Sequence, residues 1–180
     1  MRSHSANSRA LRGGPSHPSH SRVDQLADAN ARHVAEVEVD IETGAAQIVR
    51  YTALHSHGVQ VNPMIVSGQT RGGIERSTGN APFEYMGYDE NSQPTATSFS
   101  DYLMPDATEI PTIDCFYRST PSPLNPLGVK AGEADVIPSA AAVIYAIKNA
   151  LERFGVRIIQ VPPTPHRLAE LIATGRAKGT

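Results

Sequence analysis

From position 33 the chain alternates. His33-Val34-Ala35-Glu36-Val37-Glu38-Val39-Asp40 sets apolar residues against acids at a period of two. That period puts Ala35, Val37 and Val39 on a core face and Glu36, Glu38 and Asp40 in water, which predicts a β-strand with a solvated acidic side. Glu42-Thr43-Gly44 supplies a turn, and residues 47–54, rich in β-branched side chains, read as a second strand closing a hairpin. Residues 112–118 alternate again, with Ile113, Cys115 and Tyr117 on one face. Residues 95–104 read as a strand or extended loop, and 156–161 as a short strand.

Three helices follow from a different spacing. Asn62 is a capping residue and Pro63 suits a first turn, so a helix is expected over 64–85. It carries Gly68, Gly72, Gly73 and Gly79, each costing about 1 kcal/mol against Ala, a cost that calls for close approach by a backbone or ligand. Pro82 should kink or end it. The second helix opens at Pro138-Ser139, with Ser139 as N-cap, and its apolar stripe is Ile144, Ile147, Leu151 and Phe154 before Gly155 stops it. Thr164-Pro165 starts the last helix, docked by Leu168, Leu171 and Ile172 and stopped by Gly175. The fold class expected is α+β: antiparallel strands with helices packed on one side, in one domain over 32–175. Residues 1–31 read as a disordered tail and 176–180 as a frayed end.

Composition narrows the function. The chain has 180 residues, 39% apolar, with no Trp and a net charge of -2. Such a balance offers no field for nucleic acid or an anionic membrane. No run approaches the ~18 apolar residues that span a bilayer. A single cysteine, Cys115, excludes a disulfide framework and a self-contained cysteine-rich metal or iron–sulfur site, and it suits a reducing cytoplasm. Residues 1–22 lack acids and hold Arg2, Arg9, Arg12 and Arg22 with His4, His17 and His20. They have no apolar stretch for a secretory signal and only loosely match a transit peptide. A start of the true reading frame elsewhere is a further reading of this segment.

The stretch with most chemistry is Ser122-Pro123-Leu124-Asn125-Pro126-Leu127-Gly128-Val129-Lys130-Ala131-Gly132-Glu133-Ala134. It presents one acid in a run of turn formers just ahead of a helix. The run resembles a signature of the molybdopterin-binding large subunits of the xanthine dehydrogenase, aldehyde oxidase and aerobic carbon monoxide dehydrogenase family. Other pieces match in the same order: Glu36-Val37-Glu38-Val39-Asp40, Val61-Asn62-Pro63, Gly68-Gln69, Gly72-Gly73, Asp101-Tyr102 and Thr164-Pro165. They are similar to the C-terminal part of the second molybdopterin-binding domain, and the Thr120-Pro121-Ser122-Pro123 form is nearest the carbon monoxide dehydrogenase-like branch.

The resemblance implies a molybdenum–pterin cofactor, commonly the molybdopterin cytosine dinucleotide, and oxidation of an aldehyde, an N-heterocycle or a carbon monoxide-like substrate. It implies FAD and iron–sulfur clusters on partner subunits, and an upstream part of the large subunit supplied by another polypeptide. Glu133 would be the base beside the metal, useful only within hydrogen-bond reach of the proton it takes. Its bland reading is an acid leading a helix. Lys130, Ala131 and Gly132 would bring backbone amides to the cofactor, and Gln69 would hydrogen-bond the pterin with Gly68 allowing approach. No residue is assigned as a metal ligand.

The chain departs from the family pattern at four places, one of them Pro82, which interrupts a helix that continues in the family. One glycine is missing between Lys130 and Gly132, which shifts the glutamate by up to ~3.5 Å. Asp135 stands where glycine is typical, a second negative charge that would raise the pKa of Glu133. His55-Ser56-His57 replaces an acid-containing turn and reads as a loop, too closely spaced for both rings to hold one metal. These departures keep a second reading open, a non-catalytic remnant or partner-binding fragment without cofactor. An unrelated α+β binding domain is a third.

Overall fold

The computed structural model describes residues 29–130 and 134–178, with the side chains of 176–178 set aside. Strand β1 (Asn30–Val39) and strand β2 (Ala46–Ser56) form the expected hairpin, antiparallel, with Ala31, His33, Ala35, Val37 and Val39 turned inward. β1 begins two positions before the domain boundary expected at 32, and its register with β2 shifts between Glu36 and Val37, where Val49 of β2 is the extra residue. The turn closes through Asp40, whose carboxylate accepts the amides of Glu42 and Thr43. Those two amides hold the Asp40 carboxyl below its ordinary range.

Helix α1 (Pro63–Asn80) starts as expected: Asn62 Oδ1 accepts from the amides of Met64 and Ile65 at 3.1 and 3.2 Å. It stops at Asn80 although Ala81 keeps helical angles, φ -72° and ψ -61°, because Pro82 brings no N–H to continue the ladder. The cap stands exposed, so Asn62→Ala is expected to cost about 0.5–2 kcal/mol, read from urea unfolding midpoints. Residues 95–104 form bends and turns, not a strand. Strand β3 (Ile113–Tyr117) then joins β2 in parallel, giving a mixed sheet of order β1-β2-β3. Its parallel direction follows from the long connection through α1, which carries the chain back to the start of the sheet.

Helix α2 (Val136–Ala150) lies on the inner face of the hairpin, and helix α3 (Pro165–Lys178) follows a 3-10 turn over Glu152–Phe154. Gly155 ends that turn in the left-handed region, φ 66°. Ser139 is not the cap of α2. The helix begins three residues earlier, and Ser139 is a buried interior residue whose hydroxyl donates to the Asp135 carbonyl. The buried stripe is accordingly Val143, Ile147 and Leu151, with Ile144 and Phe154 only half-buried at its edge. With Tyr51, Ala53, Ile74, Ile113, Leu168 and Ile172 these residues make one core. Residues 156–161 pair with no strand. Gly175 lies inside α3, where a Cβ would meet the Phe154 carbonyl oxygen at 2.2 Å; its smallness serves contact rather than termination. Of the tail expected over 1–31, residues 1–28 lie outside the described residues, and Asn30 and Ala31 belong to β1. No helix among the described residues is long and apolar enough to cross a membrane.

Candidate functional site

An extended chain sends residues i and i+2 to the same side. β2 runs on through His55 and Ser56, paired with Ala31 and Asn30, so His55 and His57 both turn into the protein. The loop expected for His55-Ser56-His57 is therefore a strand end. Its two rings are buried and stack within 5° of parallel, centroids 5.2 Å apart. Asp135, the residue before α2, is equally buried. Its Oδ1 lies 3.0 Å from His55 Nδ1 and 3.8 Å from His57 Nε2. Close as they are, His55 Nδ1 and Asp135 Oδ1 are not aligned for a hydrogen bond, and neither atom has another hydrogen-bond partner among the described residues.

His33 backs this group from β1. Its Nε2 is 2.9 Å from His55 Nε2, and its Nδ1 is 2.8 Å from the Tyr51 hydroxyl and 3.1 Å from Ser139 Oγ. Because the Ser139 hydrogen goes to the Asp135 carbonyl, Ser139 can only accept from His33, and Nδ1 of His33 carries a proton. Burial first, then the neighbouring His55, pushes the His33 pKa from 6.5 down to about 4, against a weaker upward pull from Asp135. Neutral His33 thus accepts at Nε2 from His55 Nε2–H. Burial also lifts the Tyr51 phenol to about 12.

The depressed His33 value has a sign. Unfolding frees a group that binds a proton near pH 6.5, whereas the folded ring waits until about pH 4. The unfolded chain holds more protons between those values, so this contribution is complete above pH 6.5 and is lost as pH falls towards 4. His33→Gln is expected to flatten the fall in denaturant midpoint across that window.

The 122–130 run is strapped to the same strand end. Gly128 O accepts from the amides of Val59 and Ser122, both at 3.0 Å, and the Lys130 amide donates to His57 O at 3.0 Å. Asn125 closes the turn, giving its side-chain amide to Val129 O and accepting from Val129 N. Gly128 sits at φ 66° with Pro121 and Val59 against it, a position a side chain could fill only with strain. The Lys130 ammonium donates to Thr120 Oγ1 at 3.1 Å. Lys130 is thus engaged inside the protein by both its amide and its side chain. Ala131, Gly132 and Glu133 lie outside the described residues, and the chain resumes at Ala134 and Asp135.

On α1, Gly73 allows the helix to meet Asp135: a Cβ there would stand 2.9 Å from the Asp135 Cβ. Gln69, one turn earlier, is exposed, and added Cβ atoms at Gly68 and Gly72 would meet nothing within 4 Å. Gly73 is a packing glycine and Gly72 is not. The structure therefore gathers His55, His57, Asp135 and the 122–130 strap at one end of β2, with the Gln69 turn of α1 close by. Sequence reasoning missed the two histidines and Asp135 as a group. The one signal was that all three depart from the same family pattern.

Residues 14–111 match the family model described as a molybdopterin cofactor-binding domain. The chain is 37% identical over 137 residues to the 6-hydroxypseudooxynicotine dehydrogenase complex subunit gamma of Paenarthrobacter nicotinovorans, covering 75% of this chain and 17% of that one. It is 33% identical over 133 residues to the carbon monoxide dehydrogenase large chain of Afipia carboxidovorans, covering 73% and 16%. Among solved structures, quinoline 2-oxidoreductase from Pseudomonas putida 86 superposes with a TM-score of 0.78 at 40% identity, over 81% of this chain and 19% of that chain. The chain thus spans less than a fifth of the length of these relatives. With the fold and the family model in agreement, the chain belongs to the molybdopterin-binding large-subunit family of the molybdenum hydroxylases and corresponds to a partial region of that subunit.

Proposed function

We propose that this chain is the part of a molybdenum hydroxylase large subunit that carries the catalytic glutamate, Glu133, and that it works in an assembled oxidoreductase. The observation that carries the reading is the strap. The backbone on one side of Glu133 is fixed to His57 through Lys130, and the backbone on the other side is packed at Asp135 against Gly73 and His55. A base needs a fixed origin to reach its proton within hydrogen-bond distance. Gln69 fits a pterin: its amide is exposed, and the glycines around it leave the helix surface open. Ala131 and Gly132 would offer amides, and Lys130 secures the loop from within. Such a cofactor, as its cytosine dinucleotide, would supply the metal centre and redox chemistry of the oxidation, with iron–sulfur and FAD partner subunits as the proposed electron acceptors.

The substrate class favoured is an electron-poor nitrogen-containing ring. Relatives named for quinoline, 6-hydroxypseudooxynicotine and nicotine share 40%, 37% and 36% identity, against 33% for a carbon monoxide dehydrogenase large chain. Phe99, Ile137 and Ile159 are 86%, 83% and 88% exposed, apolar surface suited to the rest of the large subunit. The location proposed is cytoplasmic.

One observation favours the alternative, a partner-binding chain without cofactor: the Lys130 amide is already taken. Purification from the native source, followed by molybdenum and pterin analysis, separates the two. Near-stoichiometric molybdenum with a larger copurifying partner is expected; neither molybdenum nor pterin would establish the alternative. Insertion of one glycine between Lys130 and Ala131 should raise cofactor content if the short loop limits binding.

A further inference from the structure

We propose that His55 Nδ1, His57 Nε2 and Asp135 Oδ1 form a closed binding site for a divalent transition-metal ion of the zinc class, separate from any pterin. The proposal does not rest on the function proposed above. Its ground is convergence: one atom from each of the three residues lies within 4.8 Å of the others, and all three residues are buried. Two imidazoles and a carboxylate are a zinc-type donor set. Bonds of ~2.0–2.1 Å in a tetrahedral site set donor atoms roughly 3.3 Å apart. The separations of 3.0 and 3.8 Å from Asp135 Oδ1 bracket that spacing.

A shared proton accounts for less. It favours a near-linear path between two atoms, and His55 Nδ1 and Asp135 Oδ1 are not aligned. It also leaves unexplained why His57 turns its Nε2 toward the same carboxylate oxygen. The hydrogen-bond inventory points the same way. His33 Nε2 lies 2.9 Å from His55 Nε2, so the outer nitrogen of His55 is engaged and Nδ1 is the nitrogen that faces the carboxylate across 3.0 Å. A cation placed off the line joining them, within reach of His57, would accept a bond from each. His33 holds the outer nitrogen of His55, the arrangement that orients a metal-bound imidazole. A solvent anion such as hydroxide would complete the fourth position and offset the remaining charge.

The site has a consequence for the chain. It would tie the end of β2 to the residue before α2, two positions after Glu133, and so fasten that side of the loop with coordination bonds.

The test uses the full chain, freed of metal by chelation and titrated with Zn²⁺ or Co²⁺. One zinc per chain, a raised melting temperature and the visible absorption of tetrahedral Co²⁺ are expected. His57→Gln and Asp135→Asn should each weaken zinc binding at least tenfold. His33→Phe should weaken it about 10–100-fold with the stoichiometry unchanged. His166→Ala, on an exposed helix turn beside Glu170, should change nothing. Failure of the wild-type chain to take up zinc overturns the proposal without any variant having to fold. So does zinc uptake unaffected by His57→Gln, which would mark binding by His4, His17 and His20. Nitrogen-15 spectra showing His55 protonated at both ring nitrogens in the presence of zinc would also overturn it. Elemental analysis distinguishes zinc from molybdenum, so this result and the cofactor result are read separately.

Discussion

The metal-free His55→Leu chain is expected to unfold about 3–5 kcal/mol more easily than the wild type, measured by urea unfolding in the presence of chelator. The size comes from what remains. Asp135 is enclosed, with His55 Nδ1 3.0 Å and His57 Nε2 3.8 Å from its Oδ1. Removing the ring leaves a carboxylate in a space walled by α1 and α2, where the packing of Gly73 gives little room for water. His33 loses a partner in the same step. The double variant His55→Leu/Asp135→Leu should recover most of the loss, because two apolar side chains in place of a buried pair are often neutral or stabilising. A single-variant loss below about 1 kcal/mol, within the range of an exposed pair, would show that Asp135 finds water or another partner.

In the assembled enzyme, Glu133→Gln is expected to lower turnover by about 10²–10⁴-fold, the range typical of a positioned general base. Molybdenum and pterin content should stay unchanged, since the amide keeps the size and hydrogen-bonding capacity of the side chain while losing the proton-accepting carboxylate. That pairing of readouts matters. A fall in turnover with intact cofactor assigns a role in chemistry. A parallel fall in cofactor content would reduce Glu133 to an acid that leads a helix. Turnover within a factor of a few of wild type would remove Glu133 from the mechanism.

The hairpin, the Asn62 cap and the start of α3 were legible because each depends on neighbours in sequence. A period of two, a capping side chain two residues before the amide that donates to it, and a proline in a first turn are local facts. The mixed sheet was less legible. Nothing within residues 112–118 states that β3 will meet β2 in the parallel sense; the connection decides it. The position of Ser139 misled for a related reason. Ser-type residues favour a cap when exposed, but here the hydroxyl is enclosed and turns back on the carbonyl four residues earlier.

The candidate site was legible in family and illegible in geometry. The 122–130 run declared its turn chemistry, and Asn125 and Gly128 perform it. His55 and Asp135 are far apart in sequence, so only tertiary packing joins them. Treated one at a time, His55-Ser56-His57 and Asp135 were separate departures. The fold makes them one, since the strand end that gained two imidazoles faces the helix start that gained a carboxylate.

The bulge opposite Glu36 and Val37 bears on a different hazard. β1 is an edge of the three-stranded sheet, ten residues long, and a flat edge of that length invites another chain to add a strand. The extra residue, Val49, sits on β2 and twists the hairpin at its middle, and Arg32, Glu36 and Glu38 lie exposed along β1. An incoming copy would meet a twisted edge lined with charged side chains. The irregularity that spoils the perfect hairpin therefore also guards the chain against edge-to-edge aggregation.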